Sequence, residues 1–363
     1  MNSLRIHTLL VFSLFAINIA ASQSPSTRLW VFFRDRGQVR IDFTAPGAAR
    51  DLGISDRALW RRGKVLPANR LLDERDLPVA QEYVDQIGST GSRILGTSRW
   101  LNAVAVEASP AQRQSITALA FVRSTDPVLP MKHPPVDFSP TLPQLIFPKS
   151  SSTPSLDYGF SFTQLNNIRV VDVHNLGING SGVVIGMIDN GFNNHRSHTA
   201  LRNIRLIDEY DFIHGIQSTQ RQPWETSSQG NHGQYTLSAV GGFHEGFLVG
   251  AAFGASFILA KTEMDSTEVP QEEVLYVQAL EWMEQRGADV VSTSIGYIDW
   301  YSYDSLDGRT AITSKAARVA ASKGVLLVTA MGNERTGATQ TGTLIAPADA
   351  DSIISVGATY SDY

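Results

Sequence analysis

The 363 residues are 42% hydrophobic and 18% charged, enough apolar content for more than one packed core. A formal net charge of -5 with a pI near 5.9 gives no basic excess, so nucleic acid is not an expected partner. The chain has no cysteine, which removes disulfides, thiolate metal sites and cysteine nucleophiles together.

At the amino end, Arg5 and His7 precede an apolar run over residues 9–17, and the small residues Ala20, Ala21 and Ser22 follow. That order describes a secretory signal peptide over residues 1–22. A buried helix and a short membrane anchor are the other readings, but the run is short for a bilayer. The expectation is an exported protein, secreted, periplasmic or at the cell surface. No later segment is long and apolar enough to cross a membrane, and no membrane partner is expected.

Residues 28–128 read as a small α+β unit. A strand is expected over 29–33, a helix capped by Ser55, and a second helix over 79–87. A strand is expected from Trp100 to Val106, then a helix opened by Ser109-Pro110, then a last strand at Phe121-Val122-Arg123. This order suggests an open sheet with helices on one face. Eight of the sixteen prolines fall between Pro127 and Pro154. Such composition predicts an extended linker over 129–160, open to proteolysis.

From residue 161 to 363 strands and helices alternate. Strands are expected at 183–188, 257–260, 288–291, 324–328 and 353–358, and helices at 232–240, 272–286 and 316–323. The fold class read from this is α/β, a doubly wound parallel sheet with helices on both faces. Ligands of such sheets bind at the carboxyl ends of the strands.

Asp189 ends the first of these strands, His232 opens a helix, and Asn333 follows a later strand. Taken singly, each reads as well as a turn, a cap or a loop amide. Together they stand on one edge of the same predicted sheet. A carboxylate to orient an imidazole, an imidazole to move a hydroxyl proton and an amide for an oxyanion are what acyl transfer needs.

The run Val184-Ile185-Gly186-Met187-Ile188-Asp189-Asn190-Gly191 resembles the aspartate motif of the subtilases, the S8 peptidase family. Asn231-His232-Gly233 resembles their histidine motif and Leu248-Val249-Gly250-Ala251-Ala252 the stretch after it. Ser292-Thr293-Ser294-Ile295-Gly296 resembles the strand that binds substrate backbone. Ala330-Met331-Gly332-Asn333-Glu334 resembles the segment with the oxyanion asparagine, and Ala346-Pro347-Ala348 and Ser355-Val356-Gly357-Ala358 resemble the next landmarks.

The resemblance implies a subtilisin-like fold over 161–363 and a secreted serine endopeptidase precursor acting on peptides or proteins. By it, Asp189 supports His232, His232 is general base and acid, Asn333 donates to the oxyanion, and Ser294, Ile295 and Gly296 pair with substrate backbone. Residues 28–128 stand where many subtilases keep a propeptide, which would make that domain an intramolecular inhibitor.

Two positions depart from the family pattern. Gln234 stands where a threonine usually follows His-Gly. No Gly-Thr-Ser motif follows Asn333, and Ser361 in Tyr360-Ser361-Asp362 lacks that setting. The nucleophilic serine is therefore expected to be missing from this chain, which would leave it inactive. A peptide-binding pseudoenzyme is the alternative. A nucleotide-binding sheet is disfavoured because no glycine-rich loop follows Ile188. Calcium is common in the family, but no acidic run here has calcium-loop spacing. His195 and His198 lack a third ligand at metal-site spacing, so no metal or other cofactor is expected.

Overall fold

The computed structural model describes residues 26–128, 154–266, 271–297, 301, 303–333 and 344–358. The expected signal peptide and nearly all of the proline-rich stretch before residue 154 lie outside these residues.

The first domain holds β1 (Thr27–Phe33), α1 (Ala48–Asp51), α2 (Asp56–Arg62), α3 (Gln81–Gly88), β2 (Arg93–Ser98), β3 (Ala103–Ala108), α4 (Pro110–Thr117) and β4 (Val122–Pro127). Local chemistry sets several of these bounds. Ser55 caps α2 by accepting the Ala58 amide. Ser109 and Gln112 form a capping box at α4, with Pro110 in the first turn. The strands run in the order β2-β3-β1-β4, each pair antiparallel. One face packs Leu29, Val31, Phe33, Val104 and Val106 against Val84, Ile87 and Ile116 from the helices.

One strand expectation needs correction here, and one strand was not expected. Trp100 and Leu101 lie in a tight turn rather than a strand, and β3 starts at Ala103. The unexpected β2 precedes them. Its register shifts between Ile94 and Gly96, which interrupts the alternation that would have marked it in sequence. A Cβ on Gly96 would lie 2.8 Å from Gln278 Nε2 and 2.9 Å from Val274 Cγ1, so β2 needs glycine there to approach the second domain.

The second domain begins with α5 (Phe162–Asn167) and α6 (Val170–Asn175). Then come β5 (Val184–Asp189), β6 (Arg205–Asp211), α7 (Asn231–Gly241), the short hairpin β7 (Phe243–His244) and β8 (Leu248–Val249), and β9 (Ser256–Lys261). The rest is α8 (Glu272–Arg286), β10 (Val290–Thr293), α9 (Ile312–Ser322), β11 (Leu326–Ala330) and β12 (Ile354–Val356). Packing starts just before α5, where the buried Tyr158 hydroxyl meets His174 Nδ1 at 2.8 Å.

Six strands form one sheet in the order β12-β11-β10-β5-β9-β6, and every pair is parallel. Leu237 of α7 packs on Ile185, Met187, Phe257 and Leu259, while α8 and α9 cover the opposite face. The chain leaves β5 toward β9 on one side and returns as β10 on the other. The carboxyl ends of β5 and β10 therefore flank the switch point where open α/β sheets place their sites.

Helix α8 lies between the two domains. Its Met283 packs beside Gly186 of the large sheet, its Val274 lies against Gly96 of β2, and its Glu281 and Glu284 face the first domain. Glu281 accepts from Ser98 Oγ at 2.5 Å and from the Arg99 and Trp100 amides at 3.2 Å each. Glu284 binds both Arg61 and Arg62, and Arg62 also reaches Asp76 at 2.9 Å. Trp30, Phe32, Ala103 and Ala105 supply the apolar part of this contact from the small sheet's second face.

Candidate active site

Asp189 ends β5 with 1% of its side chain exposed, and His232 stands in the first turn of α7 with 31% exposed. Their bond runs from His232 Nδ1 to Asp189 Oδ1 at 2.7 Å. Backbone geometry makes the approach close. A Cβ on Gly233 would lie 2.0 Å from Gly191 O and 3.0 Å from Asp189 Cβ, so the residue after the histidine has no room for a side chain. Gly230 caps α7 in the left-handed region, at φ 79°. The bond to Asp189 raises the His232 pKa above its ordinary value. Burial opposes that shift, and the charges of Asp189 and Asp265 add to it.

Further polar side chains fix the loops around this pair. The Asn190 amide donates to Asp189 Oδ1 at 2.8 Å. Its side chain accepts from the Gly233 amide at 3.1 Å and donates to Asp265 at 2.7 Å. Gln229, 1% exposed, donates to Asn190 O at 2.5 Å and Glu263 O at 2.7 Å, and accepts from the Asp265 amide at 2.8 Å. Thr236 donates to Asp189 Oδ2 at 3.1 Å. Asn190 was visible in sequence as part of the aspartate motif, and Thr236 left a signal by standing one helical turn beyond His232 on the same face.

Ser294, Ile295 and Gly296 follow β10, and Asn333 follows β11 after Gly332, whose φ is 120°. The sheet order sets these segments beside Asp189 on the same carboxyl edge. Beyond Gly296 the chain pairs with its own backbone: Tyr297 N donates to Ala346 O at 2.7 Å, and Ala346 N returns to Tyr297 O at 3.0 Å. The expected site residues thus share one edge. Among them, the direct side-chain bond joins Asp189 and His232.

His195 and His214 serve the framework. His195 is 1% exposed, donates from Nδ1 to Phe192 O at 2.6 Å, and faces Glu209 across 3.4 Å from Nε2. Burial alone would raise the Glu209 pKa, but the nearby His195 ring and hydrogen bonds from Thr219 and Arg196 outweigh it and hold it at about 2. Among the described residues one group, Asp211, His214 and Glu225, has metal-ligand spacing. Its chemistry does not fit a metal. Lys261 Nζ already lies 3.1 Å from Asp211 Oδ2 and 2.5 Å from Glu225 Oε1. His214 spends Nδ1 on Asp211 at 2.9 Å and Nε2 on the Trp224 indole at 3.4 Å.

Residues 180–362 match the family described as the subtilase family, and residues 28–137 match the peptidase S8 propeptide domain of Bacteroidota. The chain belongs to the subtilase family. It is 28% identical to subtilisin DY of Bacillus licheniformis over 196 residues, which are 54% of this chain and 63% of that protein. It is 29% identical to subtilisin E of Bacillus subtilis (strain 168) over 207 residues, 57% of this chain and 47% of that protein. This subtilase chain therefore spans less than two thirds of the length of these relatives. Its fold is similar to that of the epidermin leader peptide processing serine protease of Staphylococcus aureus, with a TM-score of 0.54, 13% identity, and 93% and 70% of the two chains covered. Fervidolysin of Fervidobacterium pennivorans, a keratinolytic enzyme related to subtilisin, gives a TM-score of 0.52 at 16% identity, covering 90% of this chain and 42% of that one.

Proposed function

We propose that this subtilase carries Asp189, His232 and Asn333 as the aspartate, general base and oxyanion donor of an exported serine endopeptidase. The observation that carries the reading is the 2.7 Å bond between buried Asp189 and partly exposed His232. A proton on Nδ1, held by the carboxylate, makes Nε2 the nitrogen that takes the proton of a nucleophilic serine and passes it to the leaving amine. The Asn333 amide donates to the oxygen that becomes negative when the scissile carbonyl is attacked. Ser294, Ile295 and Gly296 receive the extended backbone of a peptide or protein substrate.

In this reading the nucleophile is not among the 363 residues, and the N-terminal domain is the propeptide that blocks the cleft until the proline-rich segment is cut. Fluorophosphonate labelling tests both parts. The 363-residue chain should stay unlabelled. A protein extended through the downstream coding sequence should label at the serine of a Gly-Thr-Ser motif, and H232A should abolish that labelling. Labelling of the shorter chain overturns the placement of the nucleophile. An extended protein that binds peptide but never labels is a pseudoenzyme.

A further inference from the structure

Asp189 is 1% exposed, so its two oxygens depend on protein donors. Oδ1 has two, the His232 ring at 2.7 Å and the Asn190 amide at 2.8 Å. Oδ2 accepts from Thr236 Oγ1 at 3.1 Å, its donor among the described residues. The same hydroxyl lies 3.1 Å from Gly233 O, three residues back on α7. One proton thus faces an ionised carboxylate and a neutral carbonyl, and the charged acceptor makes the stronger bond.

The torsion that turns a carboxylate plane is soft, with broad minima. A donor on each oxygen fixes it. His232 and Thr236 are four residues apart on one helix, so the base and the hydroxyl that holds its carboxylate move as one body. Gln234, at the position where the family usually has threonine, turns away to accept from Asn194 Nδ2 at 3.3 Å. The hydroxyl that reaches Asp189 comes from two residues further on.

We propose that Thr236 is a positioning residue: its hydroxyl holds the plane of the Asp189 carboxylate and takes up part of the negative charge that His232 would otherwise receive. This rests on reading His232 as the base. The charged groups facing the imidazole are Asp189 at the end of β5 and Asp265 beyond β9. Thr236 acts on the first of them.

The test is an NMR titration of the His232 ring in the full 363-residue chain, which needs no turnover. T236V removes the hydroxyl and keeps the shape. It should raise the His232 midpoint by about half a pH unit, roughly threefold in protonation constant. T236A should do the same, which covers the case that the valine variant does not fold. T236S keeps the hydroxyl and should titrate like the parent. An unchanged midpoint in T236V and T236A, a lowered one, or an equal rise in T236S overturns the proposal. D189N separates the two readings, because a His232 midpoint indifferent to D189N removes the catalytic pair itself rather than the role of Thr236.

Discussion

Arg62 of the small domain meets Glu284 of α8 at 2.7 Å with neither side chain exposed to solvent. Burial works against the charge of Arg62, but the bonds to Glu284 and Asp76 outweigh it and hold its pKa above the ordinary arginine value. Removing one partner leaves the other charge buried and unpaired, which costs about 3–5 kcal/mol. R62A and E284A should each lower the urea midpoint accordingly. The double variant R62M/E284L should lose much less than the sum of the single changes, and an additive loss would count against the pairing.

Glu281 predicts a pH dependence of opposite sign to that of an ordinary paired carboxylate. Burial pushes its pKa up to about 7, against the opposing bonds from Ser98 and the charge of Arg99. The folded state then holds a proton that the unfolded chain releases near 4.5. This contribution is full below that pH and is lost as pH rises through about 7, by up to about 3 kcal/mol. E281Q should flatten the fall in urea midpoint between pH 4.5 and 7 only in part. Glu273 on the same helix is also raised to about 7 by burial and gives the same sign.

The imidazole should report its carboxylate. Because the bond to Asp189 is the largest cause of the raised His232 pKa, D189N should bring the NMR midpoint down. In a form of the protein that turns over peptide, N333A should lower kcat by about 10²–10³ while KM changes little, since an oxyanion donor acts in the transition state.

Gly233 allows a backbone test. G233A would drive a methyl group into Gly191 O and the Asp189 side chain, where the available spaces are 2.0 and 3.0 Å. Overpacking of this kind costs about 1–3 kcal/mol. The thermal midpoint should fall, and the low-field proton of the His232–Asp189 bond should weaken with it.

The large sheet was legible because parallel strands buried on both faces are continuous apolar runs, as in residues 184–188 and 257–260. The first-domain helix starts at Ser55 and Ser109 were legible through their caps. β6 was not, because Arg205, Asp208 and Glu209 interrupt any apolar run at the sheet edge, and Glu209 is there to hold Arg196, His195 and Thr219. At the site, Asp189, His232 and Asn333 were marked by neighbours of fixed type. Gln229 was not, since a buried amide that ties backbone to backbone carries no spacing of its own. The polar face of α8 looked like a solvated one. Sequence period cannot tell water from a second domain.

Helix α8 therefore belongs to two cores at once. Glu281 and Glu284 lose their first-domain partners if the two domains part, although those partners lie roughly two hundred positions away, as in the Arg62–Glu284 pair. Uncovering the helix exposes both domains' interiors together. The two units should lose structure in a single cooperative transition, and the first steps of assembly must wait for a contact between distant parts of the chain.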